Sequence, residues 1–267
     1  MGSFTPTIKF IDNANNAFGV RQADNKMLVS TVPHTYDIAK GNLPNHGFIR
    51  KFGANADVGI TEEVMWTVGG AYTYLTTAQT IEIDSTSSSD TLFGTGARTV
   101  SLQGLDANFE PLTETISLAG HAGVTTTGLF TRVFRLKVLT AGSSSYNVGD
   151  ISVKGSSDKV VIGEISARNN QTQMALWTVA ADTTFYLVGV WASEVNSDKA
   201  RIRIYTREFG SNVFQIKLEI NVKDNYVYRP FPFPLEIAGK TDIEMRAVSL
   251  TANAVMTGGF DGWYDED

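Results

Sequence analysis

LFTRVFRLKVLTAGSSSYNVGDISV, residues 129–153, is the stretch that decides the fold class. Phe134, Leu136 and Val138 alternate with Arg135 and Lys137, the period of a strand with one buried and one wet face. The run then breaks on the polar, Gly-bearing AGSSSYNVGD (141–150) before a second apolar alternation starts. Upstream, MWTVGGAYTYL (65–75), GTGARTVSLQGLD (94–106) and ETISLAG (114–120) follow the same pattern. Ile81 and Ile83 alternate with Glu82 and Asp84, and Val100 and Leu102 with Ser101 and Gln103, with STSSSD (85–90) and LAGHAG (118–123) as turns. No catalytic cluster interrupts these runs.

Downstream the period of two is clearer. Ile202 and Ile204, then Phe214, Ile216, Leu218, Ile220 and Val222, then Ile243, Met245 and Ala247, then Val255 and Gly259 all fit it. Phe214 to Val222 is expected to be a central strand, joined to Arg201–Glu208 through a turn at Gly210-Ser211-Asn212. Pro230, Pro232 and Pro234 lack the N–H that a ladder needs, so RPFPFPL (229–235) marks an edge or a rigid connection anchored by Phe231 and Phe233. VIGEISARNNQTQMALWTV (161–179) reads as strand, turn, strand, and no helix is expected.

The fold class is therefore all-β, an antiparallel β-sandwich of jelly-roll type over residues 61–267, either as one unit or as two halves, 61–155 and 156–267. Residues 1–60 read as an extended N-terminal arm. IDNANNAFGVRQADNK (11–26) has little periodicity, and residues 32–60 carry two Pro and four Gly among the apolar anchors Phe48, Ile49 and Phe52. Such an arm is expected to order on a neighbouring subunit.

Composition narrows the function. Charged residues are 19% of the 267, below the ~25% of an average domain, so the surface must be rich in Thr, Ser, Asn and Gly. A net charge of -6 with no basic stripe argues against nucleic acid, whose phosphates need clustered Lys and Arg. Arg201, Arg203 and Arg207 alternate with apolar residues and read as the solvated face of a strand. The absence of cysteine excludes disulfides and thiol chemistry. No run approaches the ~20 apolar residues of a membrane span, and MGSFTPTIKF has no basic-then-apolar leader pattern. The expectation is a protein made in the cytoplasm, without membrane or cofactor.

Candidate chemistry is sparse. His34, His46 and His121 sit beside Pro, Gly or Asn, away from any carboxylate at ligand spacing, and no G-x-S-x-G elbow occurs. Glu62 with Glu63, Glu110 with Glu114, and Asp261 with Asp265, Glu266 and Asp267 are the carboxylate groupings that a glycosidase would need. Asp106-Ala107-Asn108-Phe109-Glu110 opens like a calcium loop but has Pro111 and Ser117 where an EF-hand needs Gly and Glu, so an Asx turn is expected. Gly94-Thr95-Gly96-Ala97 precedes no helix and makes no phosphate cradle. No catalytic, cofactor or metal residue is assigned and no enzymatic activity is expected. Trp66, Tyr72, Tyr74, Trp177, Trp191, Trp263 and Tyr264 are the remaining binding candidates, with Trp177 and Trp191 expected in the core.

Three blocks carry a resemblance. They are residues 41–75 (GNLPNHGFIRKFGANADVGITEEVMWTVGGAYTYL), GTGARTVSLQGLDANFEPLTETISL (94–118) with TRVFRLKVLTAGSSSYNVGDI (131–151), and TREFGSNVFQIKLEI (206–220) followed by RPFPFPLEIAGKTDIEMRA (229–247). Together they resemble virion structural proteins of tailed phages, particularly marine ones. The resemblance implies assembly and no residue-level site. The implied role is a capsid decoration or cement protein that stabilises the major capsid lattice; the alternative is a tail, neck or fibre component that contacts host glycans. Its partners would be the major capsid protein and itself, as a homo-oligomer for which a trimer is expected, within the virion. Phe48, Ile49, Phe52, Phe231 and Phe233 are the candidate assembly contacts.

Overall fold

A computed structural model describes residues 34–195, 199–223, 225–251 and 253–266. Among these residues one short helix, α1 (His34–Ala39), precedes sixteen strands. They are β1 (His46–Val58), β2 (Glu63–Val64), β3 (Ile81–Ser85), β4 (Ala97–Leu105), β5 (Pro111–Ser117), β6 (Val124–Thr125), β7 (Arg132–Ala141) and β8 (Ile151–Gly155). There follow β9 (Val161–Ile165), β10 (Leu176–Thr178), β11 (Thr183–Glu194), β12 (Lys199–Arg207), β13 (Gln215–Lys223), β14 (Tyr226–Ile237), β15 (Asp242–Ser249) and β16 (Ala254–Glu266). Every paired ladder is antiparallel.

Two sheets, β1-β16-β11-β14 and β10-β15-β12-β13, enclose a core of Phe185, Leu187, Val190, Ile202, Ile204, Ile243, Met245 and Phe260. Taken as the eight strands β1 and β10 to β16 in chain order, the sheets read 1-8-3-6 and 2-7-4-5. First pairs last, second pairs seventh, third pairs sixth and fourth pairs fifth, which is a jelly roll. The short β2 extends the second sheet by pairing with β15.

A second sandwich is inserted between strands 1 and 2 of the roll. Its sheets, β6-β3-β8-β9 and β5-β4-β7, enclose Ile81, Ile83, Leu102, Phe130, Leu136, Ile151 and Ile165. The chain leaves the roll at Trp66 and returns at Met174, and these two residues form a β-bridge, with Ala175 N–H donating to Met65 O at 2.9 Å. The two cores therefore do not divide between 155 and 156. The insert ends at β9, and the roll begins with β1.

Several sequence expectations change here. The expected arm does not reach Ile60, because His46–Val58 is β1, laddered to its own C-terminal strand from His46↔Asp265 to Val58↔Ala254. Its inward positions are Gly47, Ile49, Lys51, Gly53 and Asn55, a set that hides the apolar alternation. Residues 1–33 of that arm lie outside the described residues. The strand expected to be central, Phe214–Val222, is instead the edge strand β13, of whose residues only Val222 is buried. Leu218, Ile220 and Val222 face the core at the margin of the sandwich, while the register slip between Ile204 and Tyr205 turns Ile216, opposite Tyr205, and Phe214 to the outer face. The three prolines lie, as the missing donors require, on the edge strand β14.

The arginine row is not a solvated face. The outer face of the sheet carrying β12 and β15 presents Arg203, Tyr205, Arg207, Asp242, Glu244 and Arg246, and the insert lies over part of it. Asp242, 4% exposed, accepts Arg132 Nε at 2.8 Å and Nη2 at 3.2 Å, Arg207 Nη2 at 2.6 Å and Thr178 Oγ1 at 2.6 Å. Arg132 belongs to the insert, and both guanidiniums stack on the insert's Tyr74 at 4.8 and 4.3 Å. Burial, then the neighbouring Glu244 and Asp242, push the Tyr74 phenol well up, so it stays neutral. Phe214 caps the row from the other side, with Arg207 and Arg246 at 4.7 and 4.4 Å.

Asp242→Asn keeps the side-chain shape but leaves two arginines short of a countercharge. Chemical denaturation is expected to show a loss of about 3–5 kcal/mol; a loss below about 1 kcal/mol would reduce this lock to the weight of a surface ion pair.

Candidate functional site

A cleft of about 430 Å³ runs between edge strand β1 and the outer face of the insert's β4 and β7. Consecutive residues Phe48 to Phe52 form one wall, and Gln103, Phe134, Arg135 and Trp177 form the other. A second hollow of about 290 Å³ shares Ile49, Gln103, Phe134 and Trp177 and continues toward Thr113, Tyr264 and Glu266. Phe134 reaches this position because β4 and β7 slip register between Gln103 and Gly104, which turns it out of the insert's alternation and onto the roll's core. There it meets Trp177 edge to face at 6.4 Å.

Charge is the unusual property of this cleft. Lys51 is 5% exposed and donates to the carbonyl oxygen of Phe134. Among the described residues no carboxylate lies within ion-pair distance of Lys51 or of Arg135. Burial, and secondarily the Arg135 charge, hold the Lys51 ammonium well below its ordinary pKa, and burial lowers that of Arg135. Arg135 Nη2 donates to Arg50 O at 3.3 Å, while Arg50 pairs with Asp261 at 2.8 Å. Lys51 was invisible to sequence reasoning, where it looked like one more polar residue of an arm.

The expected assembly contacts separate into two groups. Phe48, 59% exposed, and half-buried Phe52 share the outer face of β1, while Ile49 turns inward and packs on the roll's own core. Phe48 stands directly across from Trp263, which stands across from Tyr186 with rings stacked at 4.0 Å. A second row runs Phe52, Gly259, Trp191, Tyr228. Trp191 lies over Gly259, where an added Cβ would meet the indole at 3.0 Å, so this tryptophan is on the sheet's outer face and half-buried rather than in the core. Trp177, by contrast, is in the core as expected.

Phe231 and Phe233 do not act as a pair. The β11–β14 register slips between Leu187 and Gly189, so Phe231 packs partly against the core while Phe233 is 88% exposed. Only Ile237 of β14 is buried.

Of the carboxylate groupings, Glu62, Glu63, Glu114 and Asp261 have structural partners, one oxygen of Asp265 is buried without one, and Asp267 lies outside the described residues. Glu62 accepts Arg203 Nη1 at 2.9 Å and the Tyr205 hydroxyl at 2.8 Å, and Glu63 accepts Gly59 N–H and Gly70 N–H. Glu114 accepts Thr127 N–H and Gly128 N–H, and Asp106 forms the expected Asx turn to Asn108 and Glu110. Asp90, fully buried, ties the β3–β4 and β7–β8 connections of the insert together by accepting from Ser85 Oγ and from the N–H groups of Ala97, Val148 and Gly149. His46 contacts Pro44 O and stacks on Trp263, and His121 is exposed. No group of three metal-ligating side chains occurs among the described residues, and none of their helices is long and apolar enough to cross a membrane.

No protein-family model and no curated protein matches the chain. Among solved structures, the N-terminal CBM22-1-CBM22-2 tandem domain from Paenibacillus barcinonensis Xyn10C aligns over 81% of this chain and 94% of its own, at 9% identity and a TM-score of 0.21. The infectious bursal disease virus VP2 subviral particle aligns over 88% of this chain and 78% of its own, at 12% identity and a TM-score of 0.21. At these scores neither likeness bears on function.

Lys51→Met, close to isosteric and apolar, is expected to stabilise the chain by roughly 1–3 kcal/mol at pH 7, because it removes a desolvated cation that has no countercharge. The lowered pKa means the unfolded chain holds this proton more tightly. The wild type therefore regains stability as pH rises toward the ordinary lysine value of 10.5, and the advantage of the variant shrinks over that range. A variant less stable at pH 7, or an advantage independent of pH, would contradict this.

Proposed function

We propose that the chain is a virion structural protein of the tailed-phage class its sequence blocks resemble, working as a homo-oligomer that decorates and cements the capsid lattice. The observation that carries this reading is the open side of the jelly roll. Edge strands β13 and β14 follow each other in the chain and face each other across the sandwich, yet each contributes one buried residue, Val222 and Ile237. Leu218 and Ile220 on β13 and Val227, Phe231 and Leu235 on β14 pack on the core there yet stay partly exposed, and Phe233 is left in solvent beside them.

A hydrophobic side chain left wet forgoes roughly 1.5–3 kcal/mol, and an edge strand also offers unpaired backbone groups. A second copy seated on this side would close the core and cover those groups, as interfaces built around rigid aromatic anchors do. The acidic balance and the absence of a basic stripe favour protein over nucleic acid as the partner. Bridging between copies of the major capsid protein is the role this gives the oligomer, and no catalytic step is assigned to it.

Light scattering on the purified chain is expected to give an oligomer, a trimer by this reading, and Phe233→Asp a folded monomer whose melting temperature moves by less than about 2 °C, since an exposed residue carries little of the fold. A wild-type monomer at tens of micromolar would overturn self-association. Cryo-electron microscopy of the whole particle tests the placement: density on the icosahedral lattice is expected, and density confined to one vertex or the tail would overturn the capsid assignment.

A further inference from the structure

We propose that the cleft between β1 and the insert binds an acidic sugar through its carboxylate, with Lys51 and Arg135 as the charge-bearing contacts. The inference goes beyond the assembly role and does not depend on where in a particle the chain sits.

The argument starts from cost. A cation buried without a countercharge destabilises a fold, and a site that keeps one has a use for it or an ion to meet it. Here two cations, one buried and one half-buried, line the same cleft in a chain of net charge -6, and neither has a carboxylate partner among the described residues. Arg50 adds a third positive group at the rim, already committed to Asp261. A carboxylate placed between Lys51 and Arg135 would take one charge-assisted bond from the ammonium and one or two from the planar guanidinium.

The walls select a ring rather than a bare ion. Phe48 and Phe52 on one side and Phe134 on the other, backed by the buried Trp177, offer apolar rings of the kind that pack on the C–H faces of a pyranose. The side-chain amide of Gln103 makes no hydrogen bond within the described residues and can serve a ring hydroxyl. At about 430 Å³ the cleft admits one such ring and remains open at its rim. From that rim the row Phe48, Trp263, Tyr186 continues across three strands of the roll's outer sheet, a track along which neighbouring sugars of a chain can lie.

Titration calorimetry at low salt, on the full chain, separates the possibilities with three probes: tetragalacturonate, the neutral galactose tetramer, and inorganic phosphate. Tetragalacturonate is expected to bind, and the other two at least ~10-fold more weakly, the worth of a charge-assisted bond. Lys51→Met and Arg135→Gln are each expected to weaken the acidic tetramer at least ~10-fold while leaving the neutral one unchanged. Thermal unfolding confirms that both variants are folded, and Gln103→Ala, which removes no charge, serves as a third variant with a smaller loss. Phosphate binding as tightly as the acidic tetramer would make this a general anion site and overturn the proposal. So would equal binding of the neutral tetramer, or no heat from any probe up to about 10 mM, the weak limit for a specific sugar site.

Discussion

Asp242 is the constraint on which the rest of the arrangement depends. It lies on the outer face of the roll, almost fully buried, and takes Arg132 from the insert, Arg207 from β12 and the Thr178 hydroxyl at once. A buried carboxylate is tolerable only when its lone pairs are filled, and a buried guanidinium only when its charge is met. Docking the insert supplies both conditions, since Arg132 brings the second cation and Tyr74 the ring on which both guanidiniums stack. Glu244, whose carboxyl burial pushes up and Arg246 draws back down, extends the same row. The insert is thereby held against one sheet, and Phe134, two residues along β7 from Arg132, is set against β1 and Trp177, which forms the cleft.

The jelly-roll order then distributes the surfaces. Pairing the first strand with the last puts β1 on one edge of its sheet, and pairing the third with the sixth puts β14 on the other. The cleft with Lys51 and Arg135 is at the first edge, and the open, aromatic-bearing side with Phe233 is at the second. Self-association at one edge leaves the other free, so copies joined through β13 and β14 would still present their clefts.

Much of this was legible in the sequence, and the failures have physical causes. Period two in Ile81–Ile83, Phe134–Val138 and Ile243–Ala247 gave the strands, and Gly, Ser and Asn gave the turns, because alternation and turn chemistry are local. The insertion was not legible: β1 and β16, some two hundred residues apart, share one ladder, and nothing local marks that pairing. The arginine row kept its predicted period yet lies under the insert, since a charged face looks the same whether water or a distant Asp242 meets it. Lys51 was missed for the opposite reason. Its neighbours inward on β1 are glycines, an isoleucine and an asparagine, so no pattern announced that this lysine points into the protein.

The claim that one buried ionic lock makes the two sandwiches a single body is tested most directly by scanning calorimetry of the full chain. The account predicts one cooperative transition, with calorimetric and van't Hoff enthalpies in agreement. Two separate transitions, one for each sandwich, would show that the insert and the roll melt independently and would contradict it.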